Sequence, residues 1–125
     1  VPMKKEAILK RENRMIELYK NHETIPTISE YRVQYLIKTI QMMKTRGRVF
    51  LVRLPVGDKL FYLEKELFPR YENLQDSIAK ILNVALFDFS EENDNYIYTD
   101  GHHLYHKSSQ NISLDIARKI NQIKE

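Results

Sequence analysis

The sequence predicts an α/β protein, because two short apolar runs are separated by segments with helical periodicity. Residues 49–55 and 84–89 are continuous apolar runs, which is typical of strands covered on both faces. Amphipathic patterns, with apolar residues three and four positions apart, lie before, between and after these runs. Strands separated by helices pair in parallel through right-handed crossovers, so we expect a parallel sheet.

The first element is predicted as a charged helix over residues 3–20, followed by a break. Pro26 favours this break because proline disfavours helical backbone in the residue before it. A second helix is expected to begin near Thr27 or Ser29, since either side chain can accept a hydrogen bond from a free backbone N–H group. Gly47 is expected to end that helix in the left-handed conformation.

The later segments are expected in this order: a turn at 55–58, a helix at 74–82, a strand at 84–89, a polar loop at 90–99 and a helix at 108–123. Ser108 or Ser109 is expected to cap the last helix. Within the strands, Arg53 is expected to form an ion pair with a carboxylate such as Asp88, because a buried charge needs a partner.

The length of 125 residues gives room for a single domain, residues 1–125. Residues 1–28 are expected to form a helical lead-in, and residues 29–125 a helix–strand–helix–strand–loop–helix series. Two strands make a poor sheet, since a parallel sheet normally has more strands and both faces covered. We therefore expect the C-terminal portion of a larger domain, with the sheet completed by a missing N-terminal segment or by another chain.

The composition excludes several classes of protein. Hydrophobic residues make up 42% and charged residues 30%, a balance typical of folded domains. No apolar run approaches the ~18 residues that a membrane-spanning helix requires, so no membrane span is expected. The sequence has no cysteine, which excludes disulfides and thiolate metal sites but leaves the cellular compartment open.

Basic residues are concentrated in the first part of the chain. Residues 1–48 carry eleven basic and five acidic side chains, and residues 49–125 carry nine and twelve. Two helices in a basic segment are compatible with a helix-turn-helix that contacts nucleic acid. The second helix, however, has a wide apolar face that continues into a buried strand, which favours a packing role. We expect no nucleic-acid partner, and the alternative function is a non-catalytic binding or structural domain.

Asp100 and His103 are the candidate catalytic residues. They lie in residues 99–104 (TDGHHL), beyond the last strand, where functional groups of open α/β sheets gather. An aspartate three positions before a histidine, across a glycine turn, can place its carboxylate against Nδ1 of the imidazole. That contact fixes the tautomer and leaves Nε2 able to accept a proton. The spacing predicts an orienting carboxylate and a general base.

Three segments resemble the SGNH, or GDSL-type, hydrolase family: residues 47–55 (GRVFLVRLP), 86–90 (LFDFS) and 99–104 (TDGHHL). The last segment is similar to the family's final block, an Asp-x-x-His motif with glycine after the aspartate and leucine after the histidine. The likeness covers roughly residues 30–122. It implies a flavodoxin-like three-layer α/β/α sandwich with a parallel sheet, and it makes Asp100 and His103 two members of a Ser-His-Asp triad.

The family's Gly-Asp-Ser nucleophile motif and its oxyanion-hole Gly and Asn blocks do not occur in this sequence. The serines that are present have simpler explanations as helix caps, helix residues or a strand end. We expect the missing blocks to lie in an N-terminal portion of the protein, and we expect this fragment alone to be inactive. A degenerate family member that lacks the serine is a further alternative.

The resemblance implies an ester hydrolase that acts on O-acyl esters, such as those of a saccharide or cell-envelope polymer. A serine attacks the ester carbonyl, His103 takes its proton and returns it to the leaving alcohol, and Asp100 holds the imidazole. An acyltransferase, in which a sugar hydroxyl replaces water, uses the same residues. This chemistry needs no cofactor, and none is expected.

Three residues are candidates for substrate binding: Ser90, Tyr98 and Asp58. Ser90 ends the second strand on the side of the sheet where the candidate pair lies. Tyr98 flanks the candidate loop and can stack on a sugar ring, although loop tyrosines more often cover core. Asp58 follows the first strand, where a turn role is the default.

A metal site is an alternative interpretation of the same loop. His102, His103 and His106 supply imidazoles, and Asp100 can supply an oxygen ligand. Adjacent histidines usually point in different directions, which disfavours a shared metal. His102 is therefore expected to be a loop or surface residue, and no metal is expected.

Overall fold

A computed structural model describes residues 4–21 and 27–123, which are mostly helical with two short strands. The elements are, in order, α1 (Lys5–Lys20), α2 (Glu30–Lys44), β1 (Phe50–Arg53), α3 (Asp58–Leu67), α4 (Tyr71–Leu82), β2 (Ala85–Asp88), a 3-10 helix (Ser90–Asn95) and α5 (His106–Gln122). The break predicted at Pro26 lies outside the described residues. Within the described ranges, no helix is both long and apolar enough to cross a membrane.

The two strands pair in parallel and form a two-stranded sheet. The register places Phe50 opposite Ala85 at one end and Arg53 opposite Asp88 at the other. Two helices, α3 and α4, connect the strands, as a parallel crossover requires. The predicted α/β class and the parallel pairing of the two apolar runs are confirmed.

Helices cover both faces of the strand pair. Successive strand residues point to opposite faces, so β1 contributes to two apolar clusters, and so does β2 together with the preceding Val84. The cluster on the α5 side contains Phe50, Ala85, Phe87, Phe89, Tyr96, Ile112, Ile116 and Ile120. The cluster on the α2 and α4 side contains Val33, Ile37, Ile40, Leu51, Ile78, Leu82 and Val84. Amphipathic helices thereby cover part of both faces of the strands, which agrees with their largely apolar sequence.

The start of α2 is as predicted, but its end is different. Ser29 precedes the helix, and its hydroxyl oxygen accepts a hydrogen bond from the backbone N–H of Arg32 at 3.4 Å. At the other end Thr45 keeps right-handed backbone, and its hydroxyl donates to the carbonyl of Met42 at 2.7 Å. Gly47 does not have a positive φ. The predicted glycine cap is therefore wrong, because the threonine hydroxyl satisfies a terminal carbonyl instead.

Helix α3 was not predicted from the sequence. The turn predicted at residues 55–58 is only partly correct, because Asp58 is already the first residue of this helix. Leu60 and Phe61 face inward, and Leu60 is 0% exposed. Burying each of these side chains contributes about 1.5–3 kcal/mol, which offsets the helix-breaking signal of the preceding Pro-Val-Gly. Helix α4 likewise begins at Tyr71, earlier than predicted.

The last helix begins at His106 and is preceded by Tyr105, so the predicted serine cap is wrong. The Ser108 hydroxyl has a different partner, because it accepts a hydrogen bond from the backbone N–H of Ile97 at 2.8 Å. Ser109 donates within the helix, to the carbonyl of Tyr105 at 3.3 Å. Ser108 therefore fastens the long loop after β2 to α5.

Arg53 is nearly buried and is paired, as predicted. Its Nη1 lies 3.4 Å from Oδ2 of Asp88 on β2 and 3.3 Å from Oε1 of Glu72 on α4. The guanidinium carbon lies 5.9 Å from the ring centre of Phe61 and 5.5 Å from that of Tyr71. One cation at the end of β1 thus links β2, α3 and α4.

Phe89→Ala should destabilise the protein strongly. The ring is 0% exposed, so its removal leaves a cavity in the α5-side cluster and should lower the free energy of unfolding by about 3–5 kcal/mol. Ile81→Ala on α4 is the control, since Ile81 is 78% exposed and the change should stay within about 0.5 kcal/mol. Urea unfolding measures both values. Equal effects would contradict the assigned core.

Candidate active site

The loops that follow the two strands lie side by side. The backbone N–H of Gly57, after β1, donates to the carbonyl of Gly101, after β2, at 2.7 Å. The N–H of Phe89 donates to the carbonyl of Arg53 at 3.0 Å. Because parallel strands end at the same edge of a sheet, both loops stand at the carboxyl ends, where functional groups of α/β proteins gather.

The candidate residues lie in a tight turn, residues 99–103. An antiparallel bridge between Tyr98 and Leu104 closes the turn at its base. Inside the bridge, the backbone N–H of Thr99 donates to the carbonyl of His103 at 2.8 Å. Gly101 takes φ of +81°, a conformation that residues with a Cβ adopt only with strain. The glycine is therefore required for the chain to reverse between Asp100 and His103.

The Asp100 carboxylate binds both the backbone and the imidazole of the turn. Its Oδ1 accepts hydrogen bonds from the N–H groups of His102 at 3.0 Å and His103 at 2.8 Å. Its Oδ2 lies 2.9 Å from Nδ1 of the His103 ring. Beside a carboxylate, Nδ1 carries the proton of the neutral ring, so Nε2 is left as an acceptor. The structure thus brings together the two residues that the sequence paired.

Asp100 is held in its ionised form. Partial burial opposes ionisation, but the hydrogen bonds from the backbone and ring of His103 and from the backbone of His102 outweigh it and lower the pKa of Asp100 to about 2. The side chain of Asp100 is 20% exposed, whereas that of His103 is 71% exposed. The ionised carboxylate of Asp100 is therefore largely covered, whereas the imidazole of His103 that it contacts is open to solvent.

The three predicted substrate-binding residues have different environments. Ser90 is only 2% exposed, and its backbone N–H donates to Oδ1 of Asp88 at 2.8 Å. Tyr98 is half-buried, and its hydroxyl donates to the carbonyl of Asn93 at 3.0 Å. Asp58 is exposed at the start of α3. Their contact with substrate stays a prediction, and the buried position of Ser90 is the least accessible of the three.

Asp58 and Tyr98 belong to one small acidic neighbourhood. Loss of water contact and the carboxylate of Asp94 both raise the pKa of Asp58. Burial, and then the charge of Asp58, raises the pKa of the Tyr98 hydroxyl. The tyrosine therefore stays a neutral hydrogen-bonding group beside these carboxylates.

His102 is more enclosed than the predicted loop or surface position. It is half-buried rather than exposed, and its Nδ1 is shielded from solvent with no hydrogen-bond partner in the described residues. Its ring centre lies 6.3 Å from that of Tyr19 on α1. Burial raises the pKa of Glu64 on α3, while the nearby His102 and Arg53 oppose that rise. No sequence signal marks this cluster, because its members are far apart in the chain.

The histidines of this region do not form a metal cage. In the described part of the chain, no group of three or more His, Asp or Glu side chains is arranged to hold a metal ion. His106 begins α5 and has its ring 4.2 Å from that of Tyr105. The ring of His103 is bonded to Asp100 instead.

Comparisons with known proteins give no match: no family model, no curated protein and no solved structure is significantly similar to this chain.

Gly101→Ala should destabilise the turn. The residue has φ of +81°, and an added Cβ would lie 2.9 Å from Cγ of Glu12 and 3.2 Å from Cδ1 of Leu60. We expect a loss of about 1–3 kcal/mol in the free energy of unfolding. Gly47→Ala is the matched control, since nothing lies within 4 Å of its added Cβ. Similar losses in both variants, measured by urea unfolding, would contradict the turn geometry.

Asp100→Asn should remove a pH-dependent part of the stability. Because the pKa of Asp100 is about 2 in the folded chain and ordinarily 3.8, its carboxylate stabilises the fold above pH ~4. That stabilisation, about 2 kcal/mol, is lost as the pH falls from ~4 to ~2. The stability gap between wild type and variant should therefore shrink over this range in urea unfolding. A difference in unfolding free energy that stays constant with pH would rule out the assigned hydrogen bonds of the Asp100 carboxylate.

Proposed function

We propose that this chain supplies the histidine and aspartate of a Ser-His-Asp centre in an SGNH-like ester hydrolase or O-acyltransferase. The observation that carries the proposal is the 2.9 Å contact between Oδ2 of Asp100 and Nδ1 of His103. It occurs at the carboxyl ends of two parallel strands, with the imidazole 71% exposed. The resemblance of residues 99–104 to the final block of that family supports the same assignment.

The proposed reaction is acyl transfer from an O-acyl ester, for which esters of saccharides are the proposed substrates. His103 accepts the serine proton at Nε2 while the serine oxygen attacks the ester carbonyl. The imidazolium then returns the proton to the leaving alcohol, and the acyl group stays on the serine. Water, or a sugar hydroxyl, then gives its proton to His103 as its oxygen bonds to the acyl carbon. The acyl–serine bond breaks, His103 returns the proton to the serine oxygen, and the acid or new ester leaves. Asp100 remains ionised and holds the ring throughout.

We propose that the nucleophilic serine comes from outside these 125 residues. All six serines lie in the described ranges, and none donates its hydroxyl to the ring of His103. Ser77 and Ser113 donate to carbonyls within their own helices, and Ser108 binds a loop N–H. The oxyanion-hole donors are proposed to come from the same external part.

The small size of the sheet supports a larger one, because in the described residues each strand pairs only with the other. Both strands and the helices α2, α3 and α4 border a groove of about 560 Å³ that is lined mainly by apolar side chains, including Leu36, Val52 and Leu86. Val52 is 37% exposed although it lies in the middle of a short strand. We propose that further strands, from a preceding segment or another chain, complete a flavodoxin-like three-layer sandwich here.

The test is fluorophosphonate labelling of the protein expressed from its complete gene, followed by intact mass spectrometry. Fluorophosphonates react with serines that a neighbouring base activates. We expect one adduct, and we expect His103→Ala to slow labelling on the order of 10³-fold or more, because the base is lost.

His106→Ala is the matched control, since this exposed histidine lies three residues away and its ring contacts Tyr105 rather than Asp100. It should label at the wild-type rate, and circular dichroism should show both variants folded. No adduct, or an equal rate in His103→Ala, would overturn the proposal. A protein that takes no adduct would favour the alternative, a non-catalytic binding or structural domain.

A further inference from the structure

Helix α1 is held in place without contributing to the apolar core. None of its residues is buried, and neither apolar cluster contains a residue from it. Leu9 and Leu18 are each more than half exposed. The helix nevertheless packs against α3. Ile8, Met15 and Ile16 are half-buried and supply part of this packing. Two further contacts, one ionic and one aromatic, join α1 to its surroundings at the 99–103 turn.

The first contact involves Glu12, the carboxylate of α1 that lies over the 99–103 turn. Its side chain is only 15% exposed, and Oε2 lies 2.8 Å from Nζ of Lys59 in the first turn of α3. The same side chain covers Gly101 so closely that a Cβ added there would lie 2.9 Å from Cγ of Glu12. The Glu12–Lys59 ion pair therefore holds α1 against α3, with the Glu12 side chain packed over Gly101.

The second contact lies seven residues further along α1, on the same face of the helix. The ring of Tyr19 stands 6.3 Å from the ring of His102, whose Nδ1 is enclosed. Burial, and then the charge of Glu64 on α3, raises the pKa of the Tyr19 hydroxyl. Glu12 and Tyr19 lie two turns apart on α1. They therefore contact Gly101 and His102, the two residues between Asp100 and His103.

We propose that α1 is a brace for the 99–103 turn, and that Glu12 and Lys59 are positioning residues for the Asp100–His103 pair. The catalytic meaning of this brace rests on the proposed function. Because the His103 ring is 71% exposed, packing does little to fix its orientation. The orientation depends on the turn, and the turn is held from outside by Gly57 of the β1 loop and by Glu12.

Nuclear magnetic resonance of the isotope-labelled protein, expressed from its complete gene, can test the brace without any substrate. Two readouts report the pair directly: the tautomer of the His103 ring, and the pKa of the Asp100 carboxyl. We expect Glu12→Ala and Lys59→Met each to populate the Nε2–H tautomer and to raise the pKa of Asp100 by about 1 unit, because the turn loses its hydrogen-bonded geometry.

The two variants separate positioning from simple electrostatics. Charged groups near the turn come from α1 (Glu12), from α3 (Asp58, Lys59 and Glu64) and from the turn itself (His102 and His103). Removing the Glu12 charge alone should lower the pKa of Asp100, whereas removing the Lys59 charge alone should raise it. Positioning predicts a rise in both variants.

Two controls complete the test. Lys59→Arg should restore the ion pair and the wild-type readouts. Arg118→Gln removes another 2.8 Å ion pair, with Asp115 on α5 away from the turn, and should leave both readouts unchanged. If Glu12→Ala fails to fold, Glu12→Gln and Lys59→Met are compared instead, and both should still raise the pKa of Asp100.

Shifts of opposite sign in the Glu12 and Lys59 variants, or no shift in either, would overturn the brace. Its failure is distinguishable from failure of the proposed function, because these readouts need no serine. An absent fluorophosphonate adduct overturns the hydrolase assignment alone. Unchanged tautomer and carboxyl titration overturn the brace alone.

Discussion

The parallel pairing of β1 with β2 is the constraint on which the rest of the structure depends. It aligns Arg53 with Asp88 at the end of the strands, so that the loops after both strands start at the same edge. From there Gly57 and Gly101 meet in a 2.7 Å backbone hydrogen bond. Residues more than forty positions apart in the chain thereby form one surface, and the Asp100 turn has a fixed base.

Arg53 also links the elements at this edge of the sheet through its charge. A nearly buried cation is costly unless it is paired, and here two carboxylates and two aromatic rings surround the guanidinium. Its charge also opposes the rise that burial causes in the pKa of Glu64. The same cation that joins the two strands to α3 and α4 thus acts on the carboxylate of Glu64, which His102 also affects.

Local signals were sufficient for the strands and for the pairing of Asp100 with His103. The apolar runs are continuous, and the Asp-Gly-His-His spacing is short enough for a turn to close it. Helix α3 was missed because Pro55 and Gly57 indicate a turn and its buried face is short. The contacts of Glu12 could not be predicted, since Lys59 is 47 residues away and no periodicity links positions so far apart.

The two carboxylate oxygens of Asp100 have different hydrogen-bond partners, and this difference bears on the role of the turn. Oδ1 alone satisfies both backbone N–H groups, so the turn does not need the imidazole. An exposed ion pair adds only about 0–1 kcal/mol, which is a weak reason to order a side chain. The bond from Oδ2 to Nδ1 does, however, set the direction of Nε2 and keep that nitrogen an acceptor. Under the proposed function, the Asp100–His103 bond serves proton transfer, while the hydrogen bonds from Oδ1 to the backbone stabilise the turn.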